Sequence, residues 1–251
     1  ENQLQQEGIE EQEPQWNVRP SMEQEIEQQQ QEDGEEDEDR NLSQQQQLPL
    51  VLPHPHEMGR IVGGTKAFDR YPYYVSPDFG WWGCGASLIT PDYLVTAAHC
   101  AVQFKKNTNH KAYIGSSTYN HMQYRSTKYI EARDWTAFTI HPDYYGPLFR
   151  NDVALIRLKT PSTVKPIKMD LGEVVMQEGV SMFNAMGFGT TSEFTYSYPE
   201  SLMEVRVPFV AKDTCEKSLG KNRISKDMFC VGGRGGFDTC IGDSGGPLVF
   251  K

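Results

Sequence analysis

The sequence from Ile61 onward predicts an all-β fold. Short apolar runs are separated by Gly, Pro, Asp and Asn, the residues that favour turns. Apolar and polar residues alternate with period two in this region, as half-buried antiparallel strands require, and no long apolar stripe has helical spacing. The predicted strands are, in chain order, residues 86–89, 93–95, 153–156, 205–207 and 247–250.

Residues 1–60 differ from the rest of the chain and predict a separate, disordered segment. They hold 16 acidic residues and three arginines, a net charge of −13, whereas residues 61–251 carry +3. Gln and Glu dominate, and such a segment cannot bury a core. The favoured interpretation is a solvated spacer. The alternative is a segment that binds calcium or a basic partner, although the ligand spacing of a calcium loop is missing.

The chain offers no candidate for a membrane span in this N-terminal segment. Its one apolar run, residues 48–52, is far shorter than the roughly 20 residues that a spanning helix needs. The chain opens at Glu1 without a basic and then apolar signal region. The sequence therefore predicts no transmembrane segment, and it leaves two alternatives for the missing signal region: a signal has been removed, or the sequence is incomplete.

The stretch Gly-Asp-Ser-Gly-Gly-Pro at 242–247 carries the strongest chemical signal. A serine between glycines on a tight turn has an exposed hydroxyl and neighbouring backbone N–H groups that can bind an oxyanion. Alone, such a stretch is more often only a turn. A serine nucleophile also needs a general base and a group that fixes the tautomer of that base. His99, in Thr-Ala-Ala-His-Cys, and Asp152, in Asn-Asp-Val-Ala-Leu, supply both partners for Ser244.

These motifs together resemble those of the chymotrypsin family of serine proteases, and trypsin most nearly. His99, Asp152 and Ser244 follow in the chain order of that family, and Ile-Val-Gly-Gly at 61–64 follows Arg60. Four separate motifs in the right order make a chance match very unlikely. The resemblance covers the whole chain after Arg60.

The resemblance implies a fold of two Greek-key antiparallel β-barrels with the active site in the cleft between them. Residues 61–251 would form this protease domain. The family continues with further strands and a helix after the strand at 247–250. We therefore expect the second barrel of residues 61–251 to be incomplete, and residues 1–251 alone to be inactive.

The resemblance also assigns roles to the site residues. His99 would be the general base and then the general acid, Asp152 would stabilise its imidazolium, and Ser244 would be the nucleophile. The backbone N–H groups of Gly242 and Ser244 would form the oxyanion hole. Asp238 lies at the base of the family's S1 pocket, where a carboxylate selects Arg or Lys at P1 through an ion pair.

The same resemblance implies a zymogen. Cleavage between Arg60 and Ile61 would free an α-amino group that pairs with Asp243 and switches the serine loop into its active form. Residues 1–60 would then be a propeptide, removed by an activating protease of trypsin-like specificity. Because this segment contains no cysteine, we expect it to leave after cleavage.

Five cysteines, all in the protease-like region, bear on the compartment. By resemblance Cys84 pairs with Cys100 and Cys215 with Cys230, while the family partner of Cys240 lies beyond the serine motif. Two such disulfides fit an oxidising, secreted setting. The alternative is five reduced core thiols in a cytosolic protein. No Cys or His spacing typical of zinc occurs, so we expect no metal.

The sequence thus predicts a secreted serine endopeptidase that hydrolyses peptide bonds after Arg or Lys through an acyl-enzyme and needs no cofactor. Its expected partners are protein and peptide substrates, the activating protease and protein inhibitors, but no nucleic acid. The alternative is a catalytically silent homologue that acts as a binding or regulatory module. Intact His99, Asp152, Ser244 and Asp238 favour the enzyme.

Overall fold

The computed structural model describes residues 64–67, 70–79, 83–103, 110–120, 122–123, 125–190, 197–233 and 242–250. Strands dominate these ranges, and the helices are few and short. The predicted all-β class is therefore confirmed. The predicted propeptide, residues 1–60, and Cys240 lie outside the described residues.

The elements are numbered in chain order. The strands are β1 (Thr65–Lys66), β2 (Tyr74–Pro77), β3 (Ala86–Leu88), β4 (Tyr93–Thr96), β5 (Lys111–Ile114), β6 (Thr118–Asn120), β7 (Arg125–Lys128), β8 (Glu131–Ile140), β9 (Ala154–Leu158), β10 (Met182–Gly187), β11 (Met203–Val210), β12 (Cys230–Val231) and β13 (Leu248–Phe250). The helices are α1 (Ala98–Val102), α2 (Lys212–Leu219) and a 3₁₀ helix (Gly146–Leu148).

Six antiparallel strands close into a barrel in the order β2-β3-β4-β9-β8-β5. Strand β9 shows the alternation that the sequence predicts, because Ala154, Ile156 and Leu158 are buried while the two residues between them are exposed. Ile156 and Leu158 pack with Val75, Leu88 and other apolar side chains in the barrel core. The first barrel thus has a packed apolar core.

The pairing of β4 with β9 brings two predicted site residues to the same end of this barrel. Thr96, the last residue of β4, lies opposite Ala154, the first residue of β9. His99 follows Thr96 on helix α1, whose Ala98 and Cys100 are buried, and Asp152 lies two residues before the start of β9. Residues 53 positions apart in the chain therefore become neighbours.

A second sheet has the strand order β1-β11-β10-β13, with β12 paired to β11. Its core contains Phe183, Ala185, Met203, Val205 and Val207. Strand β13 pairs with β10 and so attaches the segment that follows Ser244 to this sheet. That the second barrel is incomplete stays a prediction.

Two disulfides staple the described residues. One joins Cys84 to Cys100 and the other joins Cys215 to Cys230, and each has a Cα–Cα distance of 6.3 Å. The first holds α1 against the segment before β3, and the second closes the loop from α2 to β12. Among the described residues, no helix is long and apolar enough to cross a membrane.

Candidate active site

Two hydrogen bonds join His99 to Asp152 at the end of the closed barrel. The ring Nδ1 donates to Asp152 Oδ2 at 2.7 Å, and the His99 backbone N–H donates to Asp152 Oδ1 at 2.8 Å. A carboxylate only accepts, so Nδ1 carries the proton and Nε2 keeps a lone pair. Both side chains are mostly buried, with 21% and 19% exposed. The arrangement holds the imidazole in the tautomer that a general base requires.

Two aromatic side chains flank this pair. The Phe149 ring meets the His99 ring edge to face, with centroids 5.5 Å apart, and about half of Phe149 remains exposed. Tyr144 lies near Asp152, since burial and then the negative charge of that carboxylate raise the Tyr144 pKa. The aromatic neighbours reduce contact with water, which strengthens the hydrogen bonds between His99 and Asp152.

Ser244 lies on a tight turn whose glycines are required by geometry. The Gly246 N–H donates to the Asp243 carbonyl at 3.0 Å and closes the turn. Gly242 and Gly245 have φ values of 107° and 73°, which side chains other than glycine rarely adopt. A Cβ on Gly245 would also collide with the Thr96 hydroxyl. The turn therefore packs directly against the first barrel.

The Cys84–Cys100 disulfide lies between the base and the serine turn. Cys100 Sγ is 3.6 Å from His99 Nε2 and 3.8 Å from the Ser244 carbonyl oxygen. The Gly85 N–H donates to that same carbonyl at 2.8 Å. Within the described part of the chain, no hydrogen bond joins the Ser244 hydroxyl to the His99 ring. Catalytic hydrogen bonds often tighten only when substrate binds.

Asp243 is buried beside the nucleophile, with 8% of its surface exposed. Its Oδ1 accepts a hydrogen bond from the Gly189 N–H at 2.7 Å. A Cβ on either Gly187 or Gly189 would overlap the carboxyl group. Burial and then the negative charge of Asp243 raise the pKa of the fully buried Tyr74. The hydrogen bond from Gly189 therefore ties the turn that carries Ser244 to the segment that follows β10.

Other predicted site residues lie outside the described residues. These are Arg60 and Ile61, at the expected cleavage site, and Asp238, at the expected base of the S1 pocket. Their roles stay predictions.

One group of side chains contains the residue types that bind metal ions, but its cysteines are not available as ligands. Ligand atoms of Cys84, His99 and Cys100 lie within 4.8 Å of one another. Both sulfur atoms belong to the disulfide, and metal binding by cysteine requires a thiolate. The cluster therefore does not fit a metal ion.

Sequence reasoning missed several residues that shape the site. Gly187 and Gly189 flank Phe188 where β10 ends, and a glycine in or beside a strand often marks a close backbone approach, so this signal was readable. Gly85 serves the serine turn from a segment more than 150 residues earlier in the chain. Phe149 reaches His99 from a loop with no recognisable pattern.

A family model described as Trypsin matches residues 61–251. Mannan-binding lectin serine protease 1 of Mus musculus is 35% identical over 182 residues, which cover 67% of this chain and 25% of that protein. Limulus clotting factor C of Carcinoscorpius rotundicauda is 33% identical over 184 residues, or 66% of this chain and 18% of that protein. Trypsin of Sus scrofa is 32% identical over 194 residues, or 76% of this chain and 79% of that protein. The chain thus spans a quarter or less of the first two relatives.

Proposed function

We propose that this chain, which belongs to the trypsin family of serine proteases, is the zymogen of a secreted endopeptidase that cleaves peptide bonds after Arg or Lys. The observation that carries the proposal is the pair of hydrogen bonds from His99 to Asp152 beside the Ser244 turn. The match to the family model over residues 61–251 supports hydrolysis of protein substrates.

In the proposed reaction, Ser244 Oγ attacks the scissile carbonyl carbon while His99 Nε2 takes its proton. Asp152 stabilises the imidazolium that forms. The N–H groups of Gly242 and Ser244 hold the oxyanion, and such a donor typically stabilises the transition state by about 2.7–4 kcal/mol. His99 then gives the proton to the leaving amine, which leaves an acyl-enzyme. Water, activated by the same histidine, hydrolyses this ester and restores Ser244.

The proposed preference for Arg and Lys depends on Asp238. A carboxylate at the base of a substrate pocket forms a charge-assisted ion pair with a basic P1 side chain. Large apolar side chains would leave that charge without a partner, and such a penalty gives strong discrimination. Asp238 lies six residues before Ser244, the spacing that the family resemblance calls for.

The proposed activation depends on Arg60, Ile61 and Asp243. Cleavage after Arg60 would supply the Ile61 α-amino group as a positive partner for the buried Asp243 carboxylate. A buried carboxylate is stabilised by a positive charge placed close to it, so the new amine would favour the turn conformation in which the two groups meet. The absence of cysteine from residues 1–60 supports release of the propeptide. The two disulfides support secretion.

The proposal is tested with the full-length protein activated by immobilised trypsin, which is then removed. Fluorogenic peptides that differ only at P1 measure kcat/KM. We expect cleavage after Arg and Lys and little after Phe or Leu. Asp238→Ser should lose this preference while folding normally, and Asp213→Ser, at an exposed position of α2, should keep it.

An Arg60→Gln variant should stay inactive after the same trypsin treatment. A preference for Phe or Leu would refute the role of Asp238, and full activation of Arg60→Gln would refute the role of the cleavage. A correctly folded protein with no activity on any peptide would favour the silent homologue.

A further inference from the structure

The turn that carries Asp152 is held from the second half of the chain. The Asn151 backbone N–H donates a 2.7 Å hydrogen bond to Asp227 Oδ2, a residue 76 positions later. Asn151 immediately precedes the carboxylate that orients His99. Anything that fixes the Asn151 peptide therefore also limits where Asp152 can lie.

The backbone at this point needs an external support. Phe149 and Asn151 have φ values of 49° and 52°, in the left-handed region, which Asn adopts more readily than other non-glycine residues but which Phe rarely occupies. Residues in such conformations persist where surrounding contacts hold them. The Asn151 side chain donates to the Asp143 carbonyl at 2.9 Å, and Tyr145 and Arg150 exchange backbone hydrogen bonds. Asp227 supplies the contact from outside this loop.

Asp227 is itself held in place. It lies in a turn in which the Met228 N–H donates to the Ser225 carbonyl at 3.2 Å, and the Ser225 hydroxyl donates to Asp227 Oδ1. The Cys215–Cys230 disulfide closes the loop that contains this turn. The Ser225 hydroxyl and the Asn151 N–H lower the pKa of Asp227, so the carboxylate is charged at neutral pH. A charged acceptor makes the stronger hydrogen bond.

We propose that Asp227 is a positioning residue for catalysis, which fixes the Asn151 peptide and thereby the orientation of Asp152 toward His99. The chain of contacts runs from the disulfide-closed loop through Asp227 and Asn151 to the catalytic carboxylate. Asn151 lies just before β9 of the closed barrel and Asp227 lies just before β12 of the second sheet, so the bond also links the turn of Asp152 to the second sheet. This role depends on the proposed function, because it acts on the same triad.

The test compares Asp227→Ala, Asp227→Ser and Asp227→Asn in the activated full-length protein. Alanine removes the acceptor, and the serine oxygen is one atom too short to reach Asn151. Asparagine keeps an acceptor oxygen of the same reach without the charge. A fluorophosphonate titrant counts the competent Ser244 sites, and kcat and KM are measured per titrated site. Asp213→Ala, an exposed aspartate on α2, is the matched control.

We expect Asp227→Ala and Asp227→Ser to lose about tenfold in kcat with KM little changed, the size expected for one charge-assisted hydrogen bond. Asp227→Asn should recover most of the loss, and Asp213→Ala should match the wild type. A role limited to stability would lower the unfolding temperature, but kcat and KM per titrated site would stay unchanged.

Either of two results would overturn the positioning role of Asp227 and leave the proposed function intact. One is a kcat within twofold of wild type for both Asp227→Ala and Asp227→Ser, and the other is an equal loss in Asp227→Asn. A wild-type protein that neither reacts with the titrant nor cleaves any peptide overturns the proposed function, and the positioning role with it. The wild-type control thus separates the two failures.

Discussion

At the scale of single residues, the buried carboxylate of Asp243 explains why two neighbouring positions are occupied by glycine. Its Oδ1 accepts from the Gly189 N–H, and the absence of a side chain at Gly187 and Gly189 makes room for the carboxyl group. Neither of these glycines has a positive φ, so backbone freedom is not the reason for glycine there. The reason is the space that Asp243 occupies.

Gly189→Ala should therefore inactivate the protein, although alanine can adopt the φ of residue 189. The new methyl group would displace Asp243 and the adjacent Ser244 turn, and a shift of about 1 Å at such a site can cost on the order of 100-fold in rate. Gly172→Ala is the control, because its Cβ would meet no atom within 4 Å although its φ is 89°. Peptide cleavage and thermal unfolding of both variants check this. Equal activity in Gly189→Ala and wild type would contradict it.

Local motifs made His99 and Ser244 predictable as candidate site residues, because the chemistry lies in the few residues around each. The contact between Asp227 and Asn151 was not predictable, because it joins two turns that are 76 residues apart and neither turn has an unusual sequence. The same holds for the Gly85 contact with Ser244. Contacts of this kind can be identified only from the three-dimensional arrangement of the strands and loops.

At the scale of elements, Glu131 shows how β8 is attached to the chain that leaves β9. Its carboxylate accepts from the Ser162 hydroxyl at 2.8 Å and from the Thr163 N–H at 2.9 Å, and it pairs with Arg133 at 2.9 Å. Burial raises the pKa of Glu131, but the hydrogen bonds from Thr163 and Ser162, with the charge of Arg133, lower it by more. The net pKa is lower than the ordinary value of 4.5.

This shift predicts how stability depends on pH. A carboxyl group whose pKa is lower when folded stabilises the fold above its unfolded pKa, and the stabilisation is lost as the pH falls through the folded pKa. Glu131→Gln should lower the free energy of unfolding by about 1 kcal/mol at pH 7, the size of one hydrogen bond to a charged group after screening. The difference from wild type should shrink below pH 4.5.

Urea unfolding at pH 3 to 7 measures this difference. Glu173→Gln is the control, because Glu173 is 70% exposed and pairs only with the exposed Lys168 among the described residues. A Glu131→Gln difference that stays constant or grows as the pH falls would show that the charged form of Glu131 is not the stabilising one.

Elements with a regular alternation of apolar and polar residues were predictable from the sequence, and irregular elements were not. Strand β9 alternates cleanly and was predicted as 153–156, close to Ala154–Leu158. Strand β8 was not predicted, because a bulge between Trp135 and Ala137 shifts its register and breaks the alternation along Glu131–Ile140. Helix α2 is eight residues long and buries only Cys215, so it has no apolar stripe to recognise.

At the scale of the whole molecule, the site exists only because separate parts of the fold meet. The closed barrel supplies His99 and Asp152, and the segment before β13 supplies Ser244. The Gly85 N–H and Cys100 Sγ contact the Ser244 carbonyl oxygen and so link the two. Neither part alone contains a base and a nucleophile, so the proposed activity depends on their docking.

The proposed activity requires Ser244 to be a nucleophile that His99 activates. The most direct measurement is peptide mass mapping of the activated full-length protein after reaction with a fluorophosphonate, which forms a stable bond to an activated serine hydroxyl. We expect one adduct, on Ser244, that is lost in His99→Ala and retained when His141, a histidine in a turn of the first barrel, is changed to Ala. An unlabelled wild-type protein, or an adduct on Ser244 that forms equally fast in His99→Ala, would contradict it.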